Sequence, residues 1–137
     1  MIVLDTDVFS EVMRGDATAV EWLDRQARRS VWITAVTVLE VRFGLDLMRP
    51  GRRRSSLTAA FERVVTDDLE GRILPFDRGA ADRTAALMAT RRLAGRERDV
   101  RDSMIAGIAL SQQAALATRN VRHFDDLEVP IVNPWKV

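Results

Sequence analysis

Three acidic residues, far apart along the chain, have the types and positions that indicate chemistry. Asp5 follows the apolar run 2–4, and Glu40 and Asp102 each lie near the predicted start of a helix. The residues three, four and seven positions later are Phe43, Gly44 and Leu47 after Glu40, and Ile105, Ala106 and Ala109 after Asp102. That spacing predicts that both carboxylates face the core instead of water, where a charged group needs a cation, a metal ion or a donor as partner.

A pocket that collects these acids needs a positive charge, because carboxylates at ~4 Å repel each other by several kcal/mol when they are partly buried. The chain has no cysteine and a single histidine, His123, which excludes thiolate and histidine-rich zinc sites. Oxygen ligands favour Mg²⁺ or Mn²⁺. A divalent ion in an acidic pocket promotes hydrolysis of phosphodiesters, and this is the chemistry that the residues predict.

Each acid, taken alone, also has a purely structural explanation. Asp5 can start a turn or cap a helix, Glu40 can complete a capping box with Thr37, and Asp102 can interact with the dipole of its own helix. Three acids that all lie at strand ends or helix starts, on core-facing sides, favour a shared pocket over three independent coincidences.

Short apolar strands that alternate with helices must position these acids. Strands are predicted at 2–4, 31–33, 72–77, 115–117 and 129–132, and helices at about 6–14, 16–29, 37–48, 53–65, 80–93 and 99–113. The second helix has Val20, Leu23 and Ala27 on one face. This order predicts an α/β fold with a mainly parallel central sheet flanked by helices, in one domain over residues 1–137. Ligands bind beyond the carboxyl ends of such strands, where Asp5 lies.

The charged residues say less about function than the three acids do. The net charge is +1, but 20 of the 21 basic residues are arginine, and only Lys136 is lysine. Arginine clusters occur at 52–54, 91–92 and 96–101; they suit phosphate groups, and solvated helix faces are the equally open alternative. The first residues lack a basic leader, and the longest weakly polar stretch is interrupted by polar residues, so we expect a cytoplasmic protein without a membrane span.

Four short motifs occur in the order and spacing of PIN domains. They are Leu4-Asp5-Thr6-Asp7, Thr37-Val38-Leu39-Glu40-Val41, Asp102-Ser103-Met104-Ile105-Ala106 and the segment Ala117–Phe124. More narrowly, the chain resembles VapC-type toxins of bacterial type II toxin–antitoxin pairs, and Asn133-Pro134-Trp135 resembles their FitB-like branch. Each motif alone is short, but together they extend the resemblance over essentially the whole chain.

This resemblance implies a Mg²⁺- or Mn²⁺-dependent endoribonuclease that is held inactive by a VapB-like antitoxin and is commonly a homodimer. It implies that Asp5 and Asp102 bind the metal and that Glu40 binds it or activates the attacking water. Thr6 and Thr118 would support the site with their hydroxyl groups. Asp7, where the family often has Asn or Ser, would add a carboxylate to the rim.

The chain departs from the family at the fourth acidic position. PIN domains often have an acid in the segment that here contains Asn120 and His123. Asn120 can orient a water molecule but cannot ionise, which leaves open whether one or two metal ions bind. His123 is either a general base or, as we favour, a packing or surface residue. For Asp125 and Asp126 we favour a solvated turn.

Two other classes of protein fit parts of the sequence. The Asp5-x-Asp7 opening also suits an aspartyl-nucleophile phosphatase, but that family needs a downstream lysine, and only Lys136 is present. The other alternative is a catalytically weak PIN-like protein that binds nucleic acid or an antitoxin without cutting. Asn120 favours this alternative, and the three retained acids oppose it.

Overall fold

The structure is a computed structural model that describes residues 1–136. Within this range, five parallel strands form a sheet that lies between layers of helices. The strands are β1 (Ile2–Leu4), β2 (Val31–Thr34), β3 (Ile73–Leu74), β4 (Ala115–Ala117) and β5 (Ile131–Val132). The helices are α1 (Thr6–Arg14), α2 (Ala17–Asp24), α3 (Ala35–Leu47), α4 (Arg52–Arg63), α5 (Arg78–Leu93) and α6 (Val100–Ser111). The strand order is β3-β2-β1-β4-β5, and every pairing is parallel. The predicted α/β class is confirmed.

Strand β1 is the centre of the sheet and packs against helices on both faces. Val3 and Leu4 are completely buried, yet they belong to different hydrophobic clusters. Successive side chains of a strand point to opposite faces, so Leu4 packs with Val8 and Phe9 of α1, and Val3 packs with Ile105 of α6. Burial on both faces explains why β1 is continuously apolar and not alternating.

Short polar side chains cap several of the helices that follow strands. The carboxylate of Asp5 caps α1 directly after β1, and the Thr34 hydroxyl at the end of β2 caps α3. Gly15 ends α1 with φ +82°, a left-handed conformation that glycine adopts without strain. Asp5 is therefore held at the carboxyl edge of the sheet by the same contacts that start the next helix.

Helix α2 differs from its prediction. It ends at Asp24, and a short 3₁₀ helix, Arg28–Ser30, leads into β2. Ala19 and Trp22 face the core, whereas the predicted face is only partly buried at Val20 and Leu23 and is exposed at Ala27. Burial of the large Trp22 ring sets the rotation of this short helix, and three-residue spacing alone did not reveal it.

Helices α5 and α6 pack very closely on one face of the sheet. At Gly107 of α6, an added Cβ would overlap Thr84 Oγ1 and lie 2.9 Å from the carbonyl oxygen of Ala80. Only glycine fits this approach without displacing α5. This packing fixes α6, and with it the position of Asp102 in its first turn.

No helix within residues 1–136 is both long enough and apolar enough to cross a membrane.

Candidate active site

The candidate site lies at the carboxyl ends of β1 and β4, where the strand order reverses direction. Strands β2 and β3 follow on one side of β1, and β4 and β5 follow on the other. The N–H of Asp5 donates to the carbonyl oxygen of Ala117 at 3.0 Å, so Asp5 and Thr118 leave adjacent strands side by side. Open parallel sheets bind ligands at such a switch point.

Asp5 is 4% exposed and combines a structural role with an unusual charge environment. Its carboxylate accepts the Val8 N–H at 2.8 Å as the cap of α1. Burial raises the pKa of Asp5 to about 6; the Thr118 side chain and the Val8 N–H oppose this rise, and the charges of Asp7 and Asp102 add to it. The available donors therefore do not fully compensate the negative charge.

Glu40 does not form the capping box that the sequence suggests. Thr34 caps α3 through its hydroxyl, which accepts the Thr37 N–H at 3.1 Å, and Glu40 lies in the second turn. Glu40 Oε1 instead accepts the Thr6 hydroxyl at 2.7 Å, and that hydroxyl lies 3.0 Å from the Thr37 hydroxyl. The helix begins two residues earlier than predicted, so the structural explanation for Glu40 is wrong and its carboxylate faces the start of α1.

The apolar stripe that follows Glu40 is also not part of the core. Phe43 is 57% exposed and Leu47 is 70% exposed. The buried residues of α3 are Val36, Thr37, Val41 and Leu45. Because α3 has apolar residues on both sides, the three- and four-residue spacing fitted the wrong face, and Glu40 lies at the border between the two.

Asp102 lies on the helix face that its spacing predicts, with about a third of its side chain exposed. Asp99 caps α6, and the residues on the stripe below Asp102, namely Ile105, Ala106 and Ala109, are buried. Burial, followed by the charges of Asp99 and Glu40, raises the pKa of Asp102, whereas His123 lowers it. Asp102 is therefore electrostatically coupled to Asp5 on one side and to Glu40 on the other.

Two nitrogen-bearing side chains lie closer to the acids than the sequence indicated. Arg101 Nη1 lies 3.7 Å from Glu40 Oε2, and Arg101 Nε lies 3.6 Å from Asp99 Oδ1. His123 Nδ1 lies 3.7 Å from Asp102 Oδ2. For Arg101 the only signal in the sequence is its place beside Asp102. For His123 the signal is its position in the fourth motif, where a surface or packing role was favoured.

The remaining predicted site residues lie on the rim. Asp7 Oδ2 is 3.6 Å from Arg119 Nε, and its charge contributes to the raised pKa of Asp5. Asn120 is exposed at the start of a 3₁₀ helix, Val121–His123, and its N–H donates to the Thr118 hydroxyl at 3.0 Å. The fourth segment thus reaches the site through His123, and a role for the Asn120 side chain stays a prediction.

Arg91 corrects one expectation, and Asp126 has an ion-pair partner that the sequence did not predict. Arg91 is 3% exposed. Its Nε and Nη2 each donate to a different carboxylate oxygen of Asp126 at 2.8 Å. Its Nη1 donates to Ser103 Oγ at 3.1 Å, and Nη2 also donates to the His123 carbonyl oxygen at 2.9 Å. We call these four residues the Arg91 clamp. Arg91 is thus not free for nucleic acid. Asp125 and Asp126 lie in an exposed turn, as predicted, but both carboxylates are paired: Asp126 with the buried Arg91, and Asp125 with Arg96 in an exposed contact.

The three acids fit a divalent cation by their chemistry, although their side chains are not assembled as a ready-made cage. Within residues 1–136, no group of three or more Asp, Glu or His side chains is close enough to form a complete metal site. Glu40 faces Thr6 and Arg101, and Asp102 faces His123. The raised pKa of Asp5 shows a buried negative charge that the protein does not fully balance, which is the property that a cation would satisfy.

Comparison with known proteins agrees with this fold and this order of motifs. The PIN domain family model matches residues 2–129. The chain belongs to the PIN domain family. It is 38% identical over 138 residues to the VapC ribonuclease Y4jK of Sinorhizobium fredii, covering 99% of each chain. It is 34% identical over 137 residues to the toxin FitB of Neisseria gonorrhoeae, covering 98% of this chain and 99% of FitB. The resemblance drawn from the four motifs is confirmed.

The architecture of this PIN domain matches a solved relative equally well. The crystal structure of FitAcB from Neisseria gonorrhoeae superposes with a TM-score of 0.88 at 34% sequence identity and covers 100% of both chains. The whole described fold, and not only the motifs, is therefore shared with this relative.

Proposed function

We propose that this PIN domain is a divalent-metal-dependent endoribonuclease that acts as a toxin and is neutralised by a VapB-like antitoxin. The observation that carries the proposal is the buried Asp5 carboxylate at the switch point, with a pKa raised to about 6 and with Asp102 electrostatically coupled to it. A buried acid that serves only as a helix cap gains nothing from further negative charge beside it. The names of the relatives, a ribonuclease and a toxin, support RNA as the substrate class and toxicity as the outcome.

Asp5, Glu40 and Asp102 are the side chains proposed to bind Mg²⁺ or Mn²⁺. When bound, such an ion supplies a Lewis acid for the phosphate group and makes water a better nucleophile at neutral pH. Thr6 orients Glu40 through the 2.7 Å hydrogen bond to Oε1. Arg101 Nη1 lies 3.7 Å from Glu40 Oε2 and balances part of its charge, and His123 Nδ1 lies 3.7 Å from Asp102 Oδ2 and positions that carboxylate.

The orientation of the attacking water is the role proposed for Glu40 and Asn120. Glu40 is the acid whose carboxylate has both a hydroxyl donor and a guanidinium group beside it, so it can exchange partners without losing all its contacts. Asn120 has an exposed amide on the segment that brings His123 to Asp102. In hydrolysis, the water oxygen forms a bond to phosphorus and the water proton passes to a nearby base. The P–O bond to the leaving nucleotide breaks, and the leaving oxygen takes a proton from the solvent.

Association with protein partners has its own support in the structure. Helix α3 exposes Leu39, Phe43 and Leu47 on one side, an apolar stripe at four-residue spacing. Contiguous exposed apolar surface marks sites of protein interaction. We propose an antitoxin as a partner of this PIN domain, and the expected homodimer stays a prediction.

An RNA-cleavage assay tests the proposal directly. The purified chain should cut single-stranded or loop RNA internally in the presence of Mg²⁺ or Mn²⁺, and excess chelator should stop the reaction. Expression of the chain alone should stop growth, and co-expression with the product of an adjacent small gene should restore it. Cleavage that persists unchanged in chelator would contradict the metal mechanism, and harmless expression of an active nuclease would contradict the toxin role.

A further inference from the structure

A basic cleft beside the acidic site is not explained by catalysis alone. It has a volume of about 590 Å³ and lies where the chain leaves β4 and β5. The polar and charged residues that line it are Arg119, Asn120, Arg122, His123, Asn133 and Lys136. No acidic residue is among the side chains that line this cleft, whereas acids dominate the neighbouring site.

The cleft and the acidic site are continuous through two residues. His123 lines the cleft and lies 3.7 Å from Asp102, and Arg119 lines it and lies 3.6 Å from Asp7. A chain with one phosphate at the acids can therefore extend its neighbouring phosphates over the cleft. The two regions have opposite charge, as expected if one holds a cation for reaction and the other holds the polyanion itself.

Arg119 is held in place before any ligand arrives. Its guanidinium carbon lies 3.8 Å from the centre of the Trp135 ring, and its Nε faces Asp7. Trp135 is in turn anchored, because its indole N–H donates to Asp16 Oδ2 at 3.1 Å. A guanidinium that is stacked on one face and paired at one edge keeps its other donors in a fixed direction, which reduces the entropy lost on binding phosphate.

We propose that this cleft binds the RNA backbone on one side of the scissile bond, with Arg122 and Lys136 as phosphate contacts and with Arg119 as the fixed guide between cleft and acids. This inference rests on the proposed nuclease function. An acidic segment of a protein partner is the other conceivable occupant. RNA is favoured because the cleft adjoins the acidic site through His123 and Arg119, and because its lining has cations and amides but no acid, which suits a chain of phosphates with polar groups between them.

The experiment measures RNA binding separately from cleavage. Asp5→Asn protein is used to bind a fluorescent single-stranded RNA without cutting it, with and without the added changes Arg122→Ala and Lys136→Ala. The matched control adds Arg25→Ala and Arg29→Ala, which remove the same charge from exposed residues near the amino end of β2, at the opposite edge of the sheet. Thermal melts establish that all three proteins are equally folded.

The cleft variant should bind RNA about tenfold more weakly at moderate salt, and the slope of log affinity against log salt should fall by about 1.4, since each single-strand phosphate contact contributes about 0.7. The control should change neither quantity by a comparable amount. In the background with Asp5 intact, the cleft changes should raise KM more than they lower kcat.

Equal RNA affinity and equal salt slope for the cleft variant and the control would overturn the inference while leaving cleavage by the intact chain, and so the proposed function, standing. Loss of antitoxin binding with unchanged RNA binding would assign the cleft to the protein partner and overturn it as well. Failure of the Asp5→Asn protein to bind RNA at all, together with no cleavage by the intact chain, would overturn both proposals.

Discussion

Two neighbouring ionic networks in this PIN domain use the same residue types in opposite ways. In the Arg91 clamp, one guanidinium donates to both oxygens of Asp126, and hydrogen bonding to Arg91 lowers the pKa of that carboxyl. In the acidic site, burial raises the pKa of Asp5 and Asp102, and neighbouring acids raise it further. The charges of the clamp balance each other, whereas the acidic site has more negative than positive charge.

The two networks are joined by adjacent residues. Ser103 of the clamp follows Asp102 in α6, and His123 contributes its carbonyl oxygen to the clamp and its ring to Asp102. The Arg91 clamp can therefore hold the first turn of α6 and the 3₁₀ segment 121–123 in position around the acidic site. Buried ion pairs that serve structure balance their charges, and an unbalanced set beside them marks the place where a ligand acts.

The largest expected difference between the networks concerns activity. Asp5→Asn and Asp102→Asn should each reduce RNA cleavage by more than about 100-fold, because loss of even an indirect contact to a metal ligand costs about 10- to 100-fold. Asn retains the shape of Asp and can still cap α1, so the fold should persist. Single-turnover cleavage assays measure the loss, with the exposed Asp82→Asn as control. Near-normal rates in either variant would remove that residue from the ligand set.

The clamp should respond in stability and not primarily in chemistry. Asp126→Asn leaves the buried Arg91 without its counter-charge. Because Asp126 itself is in contact with solvent, the change should lower the free energy of unfolding by about 1–3 kcal/mol. Asp125→Asn is the matched control, since Asp125 and Arg96 form an exposed pair at 3.2 Å whose contribution should be below about 1 kcal/mol. Urea unfolding of the two variants tests the comparison. Equal decreases in the free energy of unfolding would mean that the Arg91 clamp does not contribute more to stability than an exposed ion pair.

The stability of the metal-free protein should depend on pH through Asp5. The pKa of Asp5 is about 6 in the folded chain against a reference of 3.8, so the folded form holds its proton more tightly than the unfolded form. The ionised Asp5 therefore lowers the free energy of unfolding. This loss is absent below about pH 4, grows as the pH rises towards 6, and remains constant above pH 6 at a size on the order of 3 kcal/mol.

Thermal melts of wild type and Asp5→Asn in chelator measure the contribution of Asp5 as the difference in stability between the two proteins, because the other titrating groups are common to both. The two proteins should differ most in stability above pH 6, where the variant gains relative to wild type, and should converge towards pH 4. A pH-independent difference would show that burial does not destabilise the charged form of Asp5.

Divalent metal should raise the melting temperature, because it binds the folded acids and not the dispersed ones. The gain is about 2.7 kcal/mol at a hundredfold excess over the dissociation constant. Sodium chloride at matched ionic strength should not reproduce the full shift, and Asp102→Asn should show a smaller one. If metal raised the melting temperature of wild type and Asp102→Asn equally, Asp102 would not be a metal ligand, and its interaction with the helix dipole would be its only role.

The sequence by itself determined the elements and the position of Asp5. Continuous apolar runs of three or four residues, short polar caps and Gly15 are local signals, and they predicted the strands, several helix ends and the carboxyl-edge location of Asp5. The helix face on which Asp102 lies could also be predicted, because α6 has apolar residues on one clear stripe below it.

Tertiary structure alone decided which residues became partners. Glu40 faces Thr6 and Arg101, 34 and 61 positions away, and Arg91 faces Asp126, 35 positions away. Helix α3 has apolar residues on both sides, so its spacing could not reveal which face packs against α1. Periodicity describes one element at a time, whereas ion pairs and buried faces depend on how distant elements pack together.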